Sequence, residues 1–231
     1  MQQTYVQRLR VIFRKIGPTR YTSHLDVART WERILNRAKL PVDYSHGFNR
    51  RPKIQFATAT ALGTTSECEV MDVWFREEMS PEDALAMINE RIAPGIEVIS
   101  LEQVIINEPS LQAMTRETTF VATISEGIER DELKTAVENM LAAEEITRER
   151  KAKKGKIKEY NLRPLILDME TSETADQALQ LTMRLVLEPG KTGRPDEILK
   201  EIGLDPLDIR IHRTAIVLEN KAGERYHISA K

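Results

Sequence analysis

Cations are the residues of this chain best suited to chemistry, and they are densest from Arg148 to Arg163. Arg148, Arg150, Lys151, Lys153, Lys154, Lys156, Lys158 and Arg163 follow one another with only Glu149 and Glu159 as interspersed acids. The chain from Ile146 onward reads as an extended hairpin with its turn at Lys154-Gly155, so its cations form a finger able to lie along a phosphate backbone. Tyr160 and Asn161 beside the run add a ring and an amide to that surface. The same run also fits a solvated protrusion, or a surface for the acids of a protein partner.

A second group lies in the first half, where Tyr44-Ser45-His46-Gly47-Phe48-Asn49-Arg50-Arg51-Pro52-Lys53 combines three cations with two aromatic rings. Arg51 and Lys53 are the expected phosphate contacts. Tyr44 or Phe48 can stack on a base, the usual way a single RNA strand is held. The alternative is that Phe48 anchors the loop in the core and the cations are solvated. A third group is Ser23-His24-Leu25-Asp26, which opens a helix. Ser23 caps it, and because a positive helix end disfavours imidazolium, His24 is expected to exchange hydrogen bonds with a ligand oxygen. His24 or His46 as a base, with Lys53 steadying charge on phosphorus, would be the outline of a metal-independent ribonuclease. The fourth group, Gly190-Lys191-Thr192-Gly193-Arg194-Pro195, lacks the P-loop spacing and reads as a turn from strand to helix.

Other chemistry is absent from the sequence. Cys68 is the only cysteine, so one chain forms no internal disulfide and offers no cysteine cluster to a metal or to iron and sulfur. The four histidines, His24, His46, His212 and His227, are scattered without ligand spacing. No nucleophile elbow or dinucleotide fingerprint occurs. No cofactor is expected, and no complete catalytic centre is present.

The elements that position these groups follow from periodicity. Leu9, Val11 and Phe13 alternate with Arg8, Arg10, Ile12 and Arg14, a strand with one buried face. A helix after Ser23 presents Leu25, Ala28, Trp31, Leu35 and Ala38. Two extended segments, 54–58 and 67–75, flank a turn at Gly63. Ser80-Pro81-Glu82-Asp83 starts a helix with Leu85, Ile88 and Ile92 inward, and 96–106 is a fourth strand. A break at 107–116 follows. The order then repeats: a strand at Phe120, Ala122 and Ile124, and a helix over 130–143 with Leu133, Val137, Met140 and Leu141 inward. Strands at 165–170 and 179–187 follow, with a helical turn as the alternative at Leu162-Arg163-Pro164. A helix from Pro195 and a strand over 209–218 close the chain. The fold expected is α+β, two tandem ferredoxin-like βαββαβ units, with domains at 1–107 and 108–231.

With 231 residues, 41% hydrophobic and 30% charged, the chain suits a globular protein of two small domains. No apolar run is long enough to cross a bilayer and no secretory leader is visible, so a cytoplasmic location is expected. The net charge of −2 gives no overall attraction to nucleic acid, which leaves binding to local clusters.

Gly17-Pro18, Ser23-His24-Leu25-Asp26, Tyr44-Ser45-His46-Gly47-Phe48-Asn49 and Arg51-Pro52-Lys53 together resemble the radical SAM-linked protein family, a domain of unknown function. Leu162-Arg163-Pro164 and Arg194-Pro195-Asp196-Glu197-Ile198-Leu199 extend the resemblance over nearly the whole chain. His46 stands where that family is expected to have glutamine, and Arg50 where it is expected to have proline. The resemblance implies a partner, a cobalamin-binding radical SAM protein to which such domains are fused or beside which they are encoded, and a neighbourhood of ribonuclease and ribosomal genes. It assigns no catalytic residue, and with a single cysteine the chain is not itself the radical enzyme. The expected function is an RNA-binding accessory protein in tRNA or rRNA modification or processing. One alternative is a metal-independent endonuclease, since tandem ferredoxin-like units are similar to the repeat-processing endonucleases of CRISPR systems. The other is a protein-interaction domain without RNA contact.

Overall fold

The computed structural model describes residues 5–46, 48–151 and 157–229. In chain order the elements are β1 (Gln7–Lys15), a 3-10 turn (Gly17–Tyr21), α1 (His24–Arg37), β2 (Ile54–Phe56), β3 (Thr65–Phe75), α2 (Pro81–Asn89), β4 (Ile96–Val104) and α3 (Leu111–Met114). Then come β5 (Thr115–Ile124), α4 (Arg130–Ala142), β6 (Thr147–Lys151), β7 (Ile157–Asn161), a second 3-10 turn (Arg163–Leu165), β8 (Ile166–Glu173), β9 (Leu179–Glu188) and β10 (Lys191–Thr192). The last elements are α5 (Pro195–Glu201), β11 (Arg210–Glu219) and β12 (Arg225–Ser229). The protein is a mixed α+β structure whose described strand pairings are antiparallel. It divides into two compact units, one reaching Thr115 and resuming at Thr214, the other Arg116–Arg213.

In the first unit β1 lies between β3 and β4, and β2 pairs with β3 through Ile54–Val73, Gln55–Asp72 and Phe56–Met71. One face of these strands, with Leu9, Val11, Phe13, Met71, Val73 and Phe75, forms a core with Val27, Trp31, Ile34 and Leu35 of α1 and Ala84 and Ile88 of α2. Leu25, expected inward, is exposed. It stands two residues before Val27 and nine before Ile34, which turns it about half a revolution away from the side that those residues fill. Side-chain hydroxyls of Ser23 and Ser80 accept from the amides of Asp26 and Asp83, so both helices begin where capping chemistry puts them.

The other face of β1 is not the solvated face that its arginines imply. Arg8 and Arg10 are buried, as is Asp72 opposite them on β3. The segment 107–116 is also more than a break: it contains α3, with Leu111 and Met114 fully buried. Gln55 accepts from the amide of Leu111, which fastens this segment to β2. Beyond Thr214, the end of β11 pairs with β12, a strand over Tyr226 and Ile228 that periodicity did not single out.

In the second unit β9 pairs with both β5 and β8, and β10 folds back to pair antiparallel with the end of β9. Phe120, Ala122 and Ile124 of β5 and Leu181, Met183 and Leu185 of β9 share a core with Leu133, Val137 and Met140 of α4 and Ile198 and Leu199 of α5. The 3-10 turn at Arg163–Leu165 is the helical turn that Leu162-Arg163-Pro164 allowed. Gly193, in the glycine-rich turn, lies so close to neighbouring chain that a Cβ there would stand 2.6 Å from the Leu165 carbonyl oxygen and 2.9 Å from Leu185 Cβ. Close packing accounts for that glycine.

Candidate nucleic-acid interface

The most basic stretch forms a two-stranded ladder of its own, β6 against β7, apart from the other strand pairings. Its register sets Arg148 opposite Tyr160, Arg150 opposite Lys158, and Lys151 opposite Ile157. Lys153, Lys154 and Lys156, and the turn expected at Lys154-Gly155, lie outside the described residues.

Two cations at the base of this ladder are engaged within the protein. Arg148 reaches α5, with Nη1 2.8 Å from Glu201 and Nε 3.4 Å from Glu197. Burial works against its charge, but the hydrogen bond to Glu201 and the charges of both acids outweigh burial and hold its pKa above the ordinary value. Burial, followed by the Glu197 charge, pushes the Tyr160 hydroxyl upward. Asn161 Oδ1 accepts from the amides of Ile146 and Arg163, and Arg163 donates to the carbonyls of Leu141 and Ile166. Leu141 is in the last turn of α4, where carbonyls lack helical partners, so Arg163 closes a helix end. The base is therefore pinned from both strands.

The loop 44–53 is closed at its neck, where Ser45 donates its amide to the Arg51 carbonyl at 2.9 Å and Ser45 Oγ accepts from the Arg51 amide at 3.1 Å. Tyr44 Oη donates to Asn36 Oδ1 at 2.6 Å, and the Arg51 guanidinium forks onto Glu32 at 2.9 and 3.1 Å, so the loop rests on α1. Phe48 is fully exposed rather than anchored in the core. Arg50 and His46 are exposed with it.

Lys53 points elsewhere. Its Nζ sits 3.7 Å from the Tyr5 ring and 5.3 Å from that of Trp74, whose other close cation is Arg8 at 4.9 Å. His24 packs its ring edge-on to Phe56, 5.1 Å away, and Phe56 in turn meets Phe13 in the core under α1. Trp74 and Phe56 occupy opposite faces of the strands, so His24 and Lys53 are not brought together. Among the described residues no group of three histidine, cysteine or carboxylate side chains is arranged to hold a metal ion.

Sequence reasoning missed the buried ionic cluster beside Lys53. Asp72, with no exposure, accepts from Arg8 Nε at 2.8 Å and from Arg10 Nε at 2.9 Å and Nη2 at 3.1 Å, and Arg8 Nη2 adds an ion-pair contact at 2.5 Å. Arg10 also reaches Glu108 at 3.1 Å, while Arg8 donates to the carbonyls of Glu108 and Pro109. Burial works against the Arg10 charge, yet Asp72 and Glu108 keep its pKa above the ordinary value. The cluster ties 108–109 to the strands, with the ionic groups mutually satisfied. A lone aspartate in the apolar run Val70-Met71-Asp72-Val73-Trp74 was the available signal.

These features define a mixed α+β protein with two basic segments, the loop 44–53 and the β6–β7 ladder. The chain belongs to the family described as "Uncharacterized protein conserved in bacteria (DUF2344)", whose model matches residues 8–195. No curated protein matches it. Among solved structures, a chain of a Cbf5-Nop10-Gar1 complex aligns over 90% of this chain and 48% of its own, at 12% identity and a TM-score of 0.46. A chain of a heavy metal efflux pump aligns over 91% and 28%, at 8% identity and a TM-score of 0.25. This chain thus spans less than half the length of either, and neither likeness is close enough to bear on fold or activity. No helix among the described residues is long and apolar enough to cross a membrane.

Proposed function

We propose that this protein is an RNA-binding accessory factor that works beside a separate, cobalamin-binding radical SAM enzyme in tRNA or rRNA modification or processing. The observation that carries the RNA reading is the separate β6–β7 ladder, the most basic stretch of the chain, held firmly at its base by Arg148, Tyr160, Asn161 and Arg163. A pinned base presents the cations of the ladder from a defined point on the unit. Arg148 and Arg163 serve that base. Phosphate contact falls to Arg150, Lys151, Lys153, Lys154, Lys156 and Lys158, with Phe48, Arg51 and Lys53 as the contacts of the first unit. The radical-enzyme partner rests on the family resemblance alone.

The same reading takes each unit as a ferredoxin-like module. In the first unit the support is the run β4, β1, β3, β2 with both helices on one face; in the second it is β8, β9, β5 with α4 and α5 in one core.

The test is a five-fold change of Lys151, Lys153, Lys154, Lys156 and Lys158 to Gln in the full chain, titrated with a labelled single-stranded oligoribonucleotide over a range of salt. Each lost phosphate contact flattens the log-log salt slope by about 0.7, so three lost contacts flatten it by about 2. An unchanged affinity and slope would sink the finger as an RNA site and favour the interaction-domain reading. Recovery of a protein partner from lysate, unaffected by ribonuclease, would say the same.

A further inference from the structure

A second basic surface lies on α1, where no motif drew attention. This helix buries Val27, Trp31, Ile34 and Leu35, and its opposite side carries Arg29, Arg33 and Arg37. Spacing of i, i+4 and i+8 sets these arginines in one row, about 6 Å apart along the axis, a step comparable with that between successive phosphates of a nucleic-acid strand. All three are exposed. A face shaped only for solvation mixes signs at this spacing, because like charges four residues apart repel. Here the two acids within reach are taken: Asp26 lies 3.3 Å from Arg29, and Glu32 is held by Arg51 at 2.9 Å. Among the described residues Arg33 and Arg37 have no carboxylate partner. Past the end of the helix Arg37 borders one shallow hollow with Arg91, Glu90 and Ile92, where Arg91 lies 4.0 Å from Glu90.

Beside the row stands the aromatic group that a nucleic-acid strand uses. The loop that carries Phe48 and Arg50 is fastened to this helix through Asn36 and Glu32, the neighbours of Arg37 and Arg33. Phe48 is wholly exposed, at a cost in apolar hydration that nothing on its own loop recovers. A protein interface would need an apolar centre around that ring, whereas His46, Asn49 and Arg50 on its loop and the arginines of the row are polar or charged. Guanidinium groups in line beside one free ring are the combination that holds a single strand, charge to the backbone and ring to a base.

We propose that the outer face of α1 is a second RNA track, in which Arg29, Arg33 and Arg37 contact successive phosphates of a single strand and Phe48 stacks on one of its bases. It rests on the RNA reading above and adds a site independent of the β6–β7 finger. The experiment uses the full chain and a labelled single-stranded oligoribonucleotide, with Arg33→Gln/Arg37→Gln, Arg33→Lys/Arg37→Lys, Phe48→Ala and the finger variant measured in parallel. Matching urea midpoints establish that the exposed substitutions leave the fold intact. The glutamine pair should weaken binding and flatten the log-log salt slope by about 1.4, while the lysine pair retains the slope. Phe48→Ala should lower affinity about fivefold or more with the slope unchanged, as loss of one stacked base requires. A glutamine pair with the parent's slope and affinity, beside a finger variant that has lost both, overturns the α1 track and leaves the RNA reading standing. A parent protein that does not bind the oligoribonucleotide overturns both.

Discussion

Replacement of Asp72 by Ala should cost the protein more than any change on its surface. The carboxylate has no exposure and accepts three N–H groups from Arg8 and Arg10 at 2.8 to 3.1 Å, with Arg8 Nη2 a further ion-pair contact at 2.5 Å. After Asp72→Ala, Arg10 retains Glu108, and Arg8 retains the carbonyls of Glu108 and Pro109 and the Trp74 ring, so two buried guanidinium groups are left with a single carboxylate between them. Loss of one partner from a buried ionic cluster costs about 3–5 kcal/mol. That is a large share of the roughly 5–15 kcal/mol that holds a domain together. Urea unfolding followed by circular dichroism reads the loss directly: with a slope of about 2–3 kcal/mol per molar, the midpoint falls by about 1–2.5 M. Glu97→Ala is the control, because its pair with Arg14 is 39% and 52% exposed and should contribute under about 1 kcal/mol. A double-mutant cycle between Asp72→Ala and Arg8→Ala should show strong coupling. If Asp72→Ala moves the midpoint no further than Glu97→Ala does, the cluster does not hold segment 108–109 to the strands as argued.

Three further outcomes are expected. The hydrogen bond from Ser23, ahead of the Arg29 charge, lowers the Asp26 pKa, so its contribution to stability is present above the ordinary carboxylate range and lost as pH falls through the depressed folded value. Ser23→Ala should move the Asp26 titration upward by NMR, shrink that acid-side dependence and remove about 1 kcal/mol of capping; an unmoved titration would refute the assignment of cause. Gly95 has φ +81 and stands where a Cβ would meet the Ile16 carbonyl oxygen at 2.8 Å as well as Thr19 Cγ2, so Gly95→Ala should cost more than about 1 kcal/mol. Gly63, φ +85 with open space around it, should accept Asn with little change in unfolding midpoint, and equal losses at the two sites would show that backbone conformation alone governs both.

Local chemistry was enough for much of this protein. Ser23 and Ser80 marked two helix starts because a capping hydroxyl satisfies amides that have no other partner, whatever surrounds them. Alternation in Leu9-Val11-Phe13 and Phe120-Ala122-Ile124 marked strands because the side-chain period of a strand is fixed by its backbone. The mixed α+β class followed from that order of elements, and the density of cations from Arg148 to Lys158 is plain in the sequence. Tertiary structure decided what each charge does. Arg148 and Arg163 are the same residue type as Arg150, yet one meets Glu197 and Glu201 of α5 and the other closes the end of α4, partners distant in the chain that no local pattern reveals. Arg8 and Arg10 read as a solvated face until segment 108–114 is laid over them, since whether a strand has one wet face or none depends on what packs there. His24 and Lys53, neighbours in a chemical argument, end on opposite faces because the alternation along the short extended segment from Lys53 into β2 sends Lys53 and Phe56 apart.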